Sequence, residues 1–126
     1  MNETIKVAAP NSLILVMDHS TGLVPDEMGD GLIASTASCI AVGTLSEFDG
    51  DTTVILTDAL SASASMELVF SGMIETPSGT LSICNTRNEV LITASHLSAE
   101  TIVQVFANND SEPDRIVVLV QRPVVG

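Results

Sequence analysis

No apolar run in this 126-residue chain is longer than five residues; the longest are Leu13–Met17 and Ile116–Val120. A membrane-crossing helix needs about 20 such residues, and neither run continues with the 3.6-residue period of an amphipathic helix. Short runs rich in Val, Ile, Thr and Leu, separated by Gly, Pro, Asn, Asp and Ser, read as strands joined by turns. Nine runs qualify: Thr4–Ala8, Ser12–Asp18, Ser38–Thr44, Thr52–Thr57, Met66–Ile74, Thr80–Cys84, Glu89–Thr93, Thr101–Ala107 and Arg115–Gln121. The expected fold is an all-β, antiparallel, jelly-roll-like β-sandwich of eight or nine strands, occupying residues 1–126 as a single domain.

The turn chemistry suggests how the strands connect. Asp49-Gly50 predicts a tight hairpin between Ser38–Thr44 and Thr52–Thr57, because Gly tolerates positive φ. Pro77-Ser78-Gly79 predicts another turn, and Asn108-Asn109-Asp110 with Pro113-Asp114 introduces the last strand. Pro123 is expected to end pairing, since it has no amide donor. Residues His19–Ile33 read as the longest loop, with one helical turn near Pro25–Met28. Thr57–Ser65, built of small residues, reads as a surface connection.

Alternation separates half-wet strands from covered ones. Leu81 and Ile83 alternate with Thr80 and Ser82 and are expected to face inward. Leu13–Met17 and Ile116–Val120 are apolar on both faces, so each needs a second cover. That cover is a loop, a short helix or a second copy of the chain.

Composition narrows the function. Sixteen acids against four Lys and Arg give a formal charge of −12, and three Phe are the only aromatics. Nucleic-acid binding needs basic surface and stacking rings, so it is not expected. A hydrophobic fraction of 45% excludes wholesale disorder. No stretch reads as a signal peptide, so a cytoplasmic protein that does not engage a membrane is expected. Cys39 and Cys84 lie in apolar strands and read as buried, inert thiols, the alternatives being a disulfide and a metal-binding or reactive thiol.

Constellations that would carry catalysis are incomplete. Gly29-Asp30-Gly31-Leu32-Ile33-Ala34 matches the dinucleotide fingerprint in letters, but no strand precedes it and no helix opens within it. Asp18-His19-Ser20 places triad-type residues side by side, where neighbours on an extended chain point to opposite faces. His19 and His96 read as exposed loop residues, and their spacing gives no transition-metal signature. The chain is expected to be no enzyme and to carry no cofactor or metal.

The acids are unevenly placed. Asp18, Asp26, Glu27 and Asp30 lie in one loop, and Glu47, Asp49 and Asp51 alternate around the Asp49-Gly50 turn. Residues 1–63 carry nine acids with Lys6 alone, whereas residues 64–126 carry seven with three Arg. No calcium-loop pattern completes. These seven acids are the candidate partner-binding residues. The alternative is a solvated face that only keeps the protein soluble. An acidic face suits an inhibitor of a nuclease or toxin, because an enzyme that acts on nucleic acid presents a basic cleft.

The order of features is similar to a known family. The acidic loop leads to Asp30-Gly31-Leu32-Ile33-Ala34, then to a hairpin ending in Thr53-Val54-Ile55-Leu56. Met66–Ile74, Pro77-x-Gly79-x-Leu81-x-Ile83, the paired strands Glu89–Thr93 and Thr101–Ala107, and a terminal Ile116–Val120 follow. This layout resembles small bacterial β-sandwich proteins of the competence protein J type, inhibitors of a DNA-entry nuclease. Such proteins show aromatic residues near the acidic loop and hairpin, where this chain has Phe48. The resemblance implies a β-sandwich, no catalysis and inhibition of a partner enzyme. Two partner classes therefore stand: a basic protein such as a nuclease, or a second copy of the chain in a homo-oligomeric assembly built through Leu13–Met17 or Ile116–Val120.

Overall fold

The computed structural model describes residues 2–28, 31–59 and 65–121. Among these, ten strands follow one another: β1 (Asn2–Val7), β2 (Leu13–Met17), β3 (Ile33–Ser35), β4 (Cys39–Gly43), β5 (Thr52–Thr57), β6 (Glu67–Glu75), β7 (Leu81–Cys84), β8 (Val90–Ala94), β9 (Glu100–Ala107) and β10 (Arg115–Gln121). They form two five-stranded sheets, ordered β1-β5-β10-β9-β6 and β3-β4-β2-β7-β8. All pairings but one are antiparallel; β10 runs parallel to β5, with Val117 opposite Ile55.

The sheets pack face to face because inward positions recur with period two. Ile14 and Val16, Ile40 and Val42, and Leu81 and Ile83 come from one sheet. Val54 and Leu56, Val103 and Val105, and Ile116 and Val118 come from the other, and together they form one apolar core. Each fully buried Leu, Ile or Val contributes about 1.5–3 kcal/mol relative to an exposed one. Leu81 and Ile83 do face inward, but β7 has no wet face: Ser82 is buried too, with its hydroxyl 3.0 Å from Thr93 Oγ1.

Nine strands fall within two residues of the expected runs. The tenth, β3, pairs Ile33 with Val42 and Ser35 with Ile40, inside what read as loop. The helical turn expected near Pro25–Met28 is absent from these residues, which have no regular structure. Instead a short 3-10 turn, Pro10–Ser12, precedes β2.

Two connections differ from the expected hairpins. β4 and β5 lie in different sheets, so residues 44–51 cross from one sheet to the other. The turn there is centred on Glu47-Phe48 rather than on Asp49-Gly50, with the Asp49 N–H donating to Ser46 O at 2.9 Å and Gly50 following it at positive φ. β6 and β7 likewise lie in different sheets, and Pro77-Ser78-Gly79 turns the crossing. Gly79 sits at φ +77°, a left-handed conformation that favours glycine. The β9–β10 connection is a true hairpin, with Ile116 opposite Ala107.

The doubly apolar strands are the central members of their sheets. On the outer face of β2, Leu15 and Met17 cluster with Cys39, Ala41 and Cys84 under Met28 of the β2–β3 loop. A loop is thus the cover for β2. Ile116 to Val120 of β10 are each no more than 1% exposed within the single chain. Neither strand therefore offers the open apolar surface that self-association through it needs. Pro123 lies outside the described residues, as do positions 60–64 of the Thr57–Ser65 connection.

Candidate functional site: an acidic end of the sandwich

Strand directions gather three connections at one end. The start of β2 pairs with the end of β4, since Leu13 lies opposite Gly43. The starts of β5 and β10 are in register, Thr53 opposite Arg115. Residues 44–51, the β9–β10 loop (residues 108–114) and the last part of the β2–β3 loop therefore meet there. Backbone hydrogen bonds join the first two: Leu45 N–H donates to Pro113 O at 2.9 Å and Thr53 N–H to Asp114 O at 2.8 Å.

The β2–β3 loop runs as a strap over the outer face of its sheet. It leaves β2 through a turn in which Thr21 and Gly22 N–H donate to Asp18 O. A Cβ on Gly22 would lie 2.6 Å from Met17 Sδ, so this close approach requires glycine. Leu23 N–H then donates to Ser38 Oγ at 2.9 Å, and Thr36 Oγ1 donates to Leu23 O at 2.7 Å. Met28 packs onto the cluster around Leu15 and Met17.

Asp18 is a correction. Its side chain is fully buried, so it cannot belong to a surface presented to a partner. Oδ1 accepts from Ser20 N–H (3.1 Å) and Ser20 Oγ (2.7 Å), and Oδ2 accepts from Ser78 N–H (2.8 Å). Burial pushes the carboxyl pKa up, but the hydrogen bonds from Ser20 and Ser78 together outweigh it, and the group sits below its ordinary value. Asp18 ties the strap to the β6–β7 crossing.

The other predicted acids divide by segment. Asp26 and Glu27 are exposed on the strap just before Met28, whereas Asp30 lies outside the described residues. Glu47 is half-buried, and Asp49 and Asp51 are exposed on the 44–51 crossing. Between them Phe48 is 91% exposed, on a turn braced by Phe48 N–H to Ser46 Oγ at 3.3 Å. The β9–β10 loop adds Asp110, Glu112 and Asp114, all exposed, which sequence reading missed. Their signal was local: three acids in five residues, hidden by a balance taken over half the chain.

Among the described residues, recesses open at two places bordering this end. A cleft of about 320 Å³ opens between the strap, the ends of β2 and β4 and the β9–β10 loop, with Met28, Thr44 and Glu112 on its three sides. A smaller, mostly apolar recess of about 190 Å³ lies between Val24 of the strap and Asn88 of the β7–β8 turn.

The triad-type residues are not arranged as a relay. Ser20 Oγ donates to Asp18, and His19 Nε2 is 2.9 Å from Asn88 Oδ1 instead. Cys39 and Cys84 are free and buried, and burial pushes their pKa values up to about 12 and about 11, with each thiol held protonated. Among the described residues, no three His, Cys, Asp or Glu side chains converge on a metal position.

No protein-family model matches the chain, and no curated protein matches it in sequence. Its fold, however, matches a solved structure: ComJ, inhibitor of the DNA-degrading activity of NucA, from Bacillus subtilis. The match covers 94% of this chain and 93% of that one with a TM-score of 0.69, at 10% sequence identity. The resemblance read from the order of strands and loops thus holds at the level of the fold: the chain is a two-sheet β-sandwich like that of ComJ.

Proposed function

We propose that this protein is a non-catalytic, cytoplasmic bacterial inhibitor that binds a basic DNA-degrading nuclease through its acidic end. The observation that carries this reading is the fold likeness to a nuclease inhibitor over nearly the whole chain. The placement of charge supports it. Asp26, Glu27, Glu47, Asp49 and Asp51 are the partner-facing acids, joined by Asp110, Glu112 and Asp114. A nuclease must hold a polyanion in a basic cleft, so carboxylates there steer association and occupy the substrate's place. Phe48, projecting among these acids, is the apolar anchor, since binding energy concentrates in a few aromatic residues ringed by polar ones.

The test is direct binding to NucA, and to NucA-type nucleases of the chain's own genome, at 50 and 300 mM salt. Binding should weaken at least tenfold at the higher salt, because exposed charges are screened beyond about 10 Å at 0.1 M. Glu47→Lys/Asp49→Lys/Asp51→Lys should abolish binding without lowering the melting temperature, as should Asp26→Lys/Glu27→Lys. Absence of binding to every such nuclease at 50 mM salt would overturn the proposal.

A further inference from the structure

The 320 Å³ cleft at the acidic end has a chemistry that selects its occupant. One wall is the β9–β10 loop, held rigid because Asn109 Oδ1 accepts from Ser111 N–H (2.9 Å), Ser111 Oγ (3.0 Å) and Glu112 N–H (3.0 Å). Opposite it, Thr44 N–H donates to Ser12 O at 2.8 Å and Gly43 N–H to Leu32 O at 2.9 Å, which fixes the ends of β4 and the strap. The walls are preformed.

Apart from the Ser12 hydroxyl, the polar side chains lining it accept rather than donate. Ser111 Oγ gives its proton to Asn109, and Thr44 Oγ1 gives its own to Leu45 O at 2.9 Å, leaving lone pairs on both. Asp110 and Glu112 are carboxylates, which accept only. The remaining lining includes the apolar side chains of Leu13, Met28 and Leu32. The Ser12 hydroxyl can donate, but an anion there would be repelled by the two carboxylates. A cation on a long apolar stem finds acceptors for its head and apolar surface for its stem. The volume is at the lower limit for a small-ligand site, about 300 Å³, and suits one side chain rather than a peptide segment.

We infer that this cleft receives an arginine side chain of the protein partner. Guanidinium brings five donors in a planar fork against three on an ammonium, and it sheds water more readily. The inference rests on the inhibitor reading only for the owner of the arginine.

The experiment titrates the 15N-labelled protein with Nα-acetyl-L-arginine methylamide at 50 mM salt, beside the lysine and citrulline counterparts. Saturable shifts should be confined to the amides of Gly31, Gly43, Thr44, Ser111 and Glu112. Affinity should be at least threefold higher for arginine than for lysine, with no saturation by neutral citrulline. Ser111→Trp fills the cleft without changing charge and should abolish the arginine shifts while the spectrum stays dispersed. Asp110→Asn/Glu112→Gln should weaken binding at least fivefold. Equal affinities for arginine and lysine with shifts scattered over all the acidic loops would overturn the inference, as would unchanged arginine binding by Ser111→Trp. A protein that takes the arginine probe but no nuclease would overturn the inhibitor reading alone. Nuclease binding unaffected by Ser111→Trp would overturn the cleft's part in it.

Discussion

Asp18 and Ser78 stand 60 positions apart in the chain, yet Oδ2 of the buried Asp18 accepts the backbone N–H of the exposed Ser78 at 2.8 Å. This bond ties the start of the strap to the crossing between the sheets. Asp18→Ala would remove the carboxylate's hydrogen bonds to Ser20 and Ser78 and should cost about 2 kcal/mol in urea unfolding, because hydrogen bonds to a charged group are among the stronger ones. The folded pKa lies below the free value of 3.8. The contribution is therefore complete above about pH 5 and lost as pH falls from 3.8 through the folded value. Asp18→Asn should show a flatter acid limb in a plot of stability against pH.

Cys39 and Cys84 should be inert in the folded protein. Their pKa values are pushed up to about 12 and about 11 from 9.0, so the reactive thiolate is scarce. At pH 8 a disulfide reagent should titrate neither thiol in buffer and both in urea. Because the folded values are the raised ones, this contribution to stability is full below pH 9.0. It is lost as pH rises from there towards 11 and 12.

Met28 covers the cluster that holds both cysteines. Met28→Ala removes a half-buried side chain and should cost about 1–2 kcal/mol. It should also speed thiol modification at pH 8 while leaving the main core between the sheets intact. Unchanged reactivity would mean that the strap does not shield the thiols.

Strands were legible because β-branched periodicity is a local property; the partners of each strand were not. Pro77-Ser78-Gly79 forms the turn its residues dictate and the turn near Asp49-Gly50 is centred on Glu47-Phe48, yet both connections cross between sheets, which turn chemistry alone does not encode. β3 escaped notice because Ile33-Ala34-Ser35 is too short to alternate. Asp18 read as one acid among several, although it directly follows an apolar run whose burial carries it inside. The acids of residues 110–114 were visible as a local cluster, but only the pairing of β10 with β5 places that loop beside residues 44–51.

Thr52 Oγ1 is buried and has no hydrogen-bond partner among the described residues. Thr52→Val keeps the shape and removes the unpaired hydroxyl. It should stabilise the protein by about 1 kcal/mol in urea unfolding. A loss of stability would mean that the hydroxyl is satisfied in solution.

Inhibition of a DNA-degrading nuclease through the acidic end can be read from plasmid degradation at 50 mM salt with NucA-type nucleases and increasing amounts of the protein. Degradation by the cognate nuclease should stop near equimolar protein. Phe48→Ala should require at least tenfold more protein, and Glu47→Lys/Asp49→Lys/Asp51→Lys should not inhibit at all. Undiminished degradation by every such nuclease under a tenfold excess of the folded parent protein would contradict such inhibition.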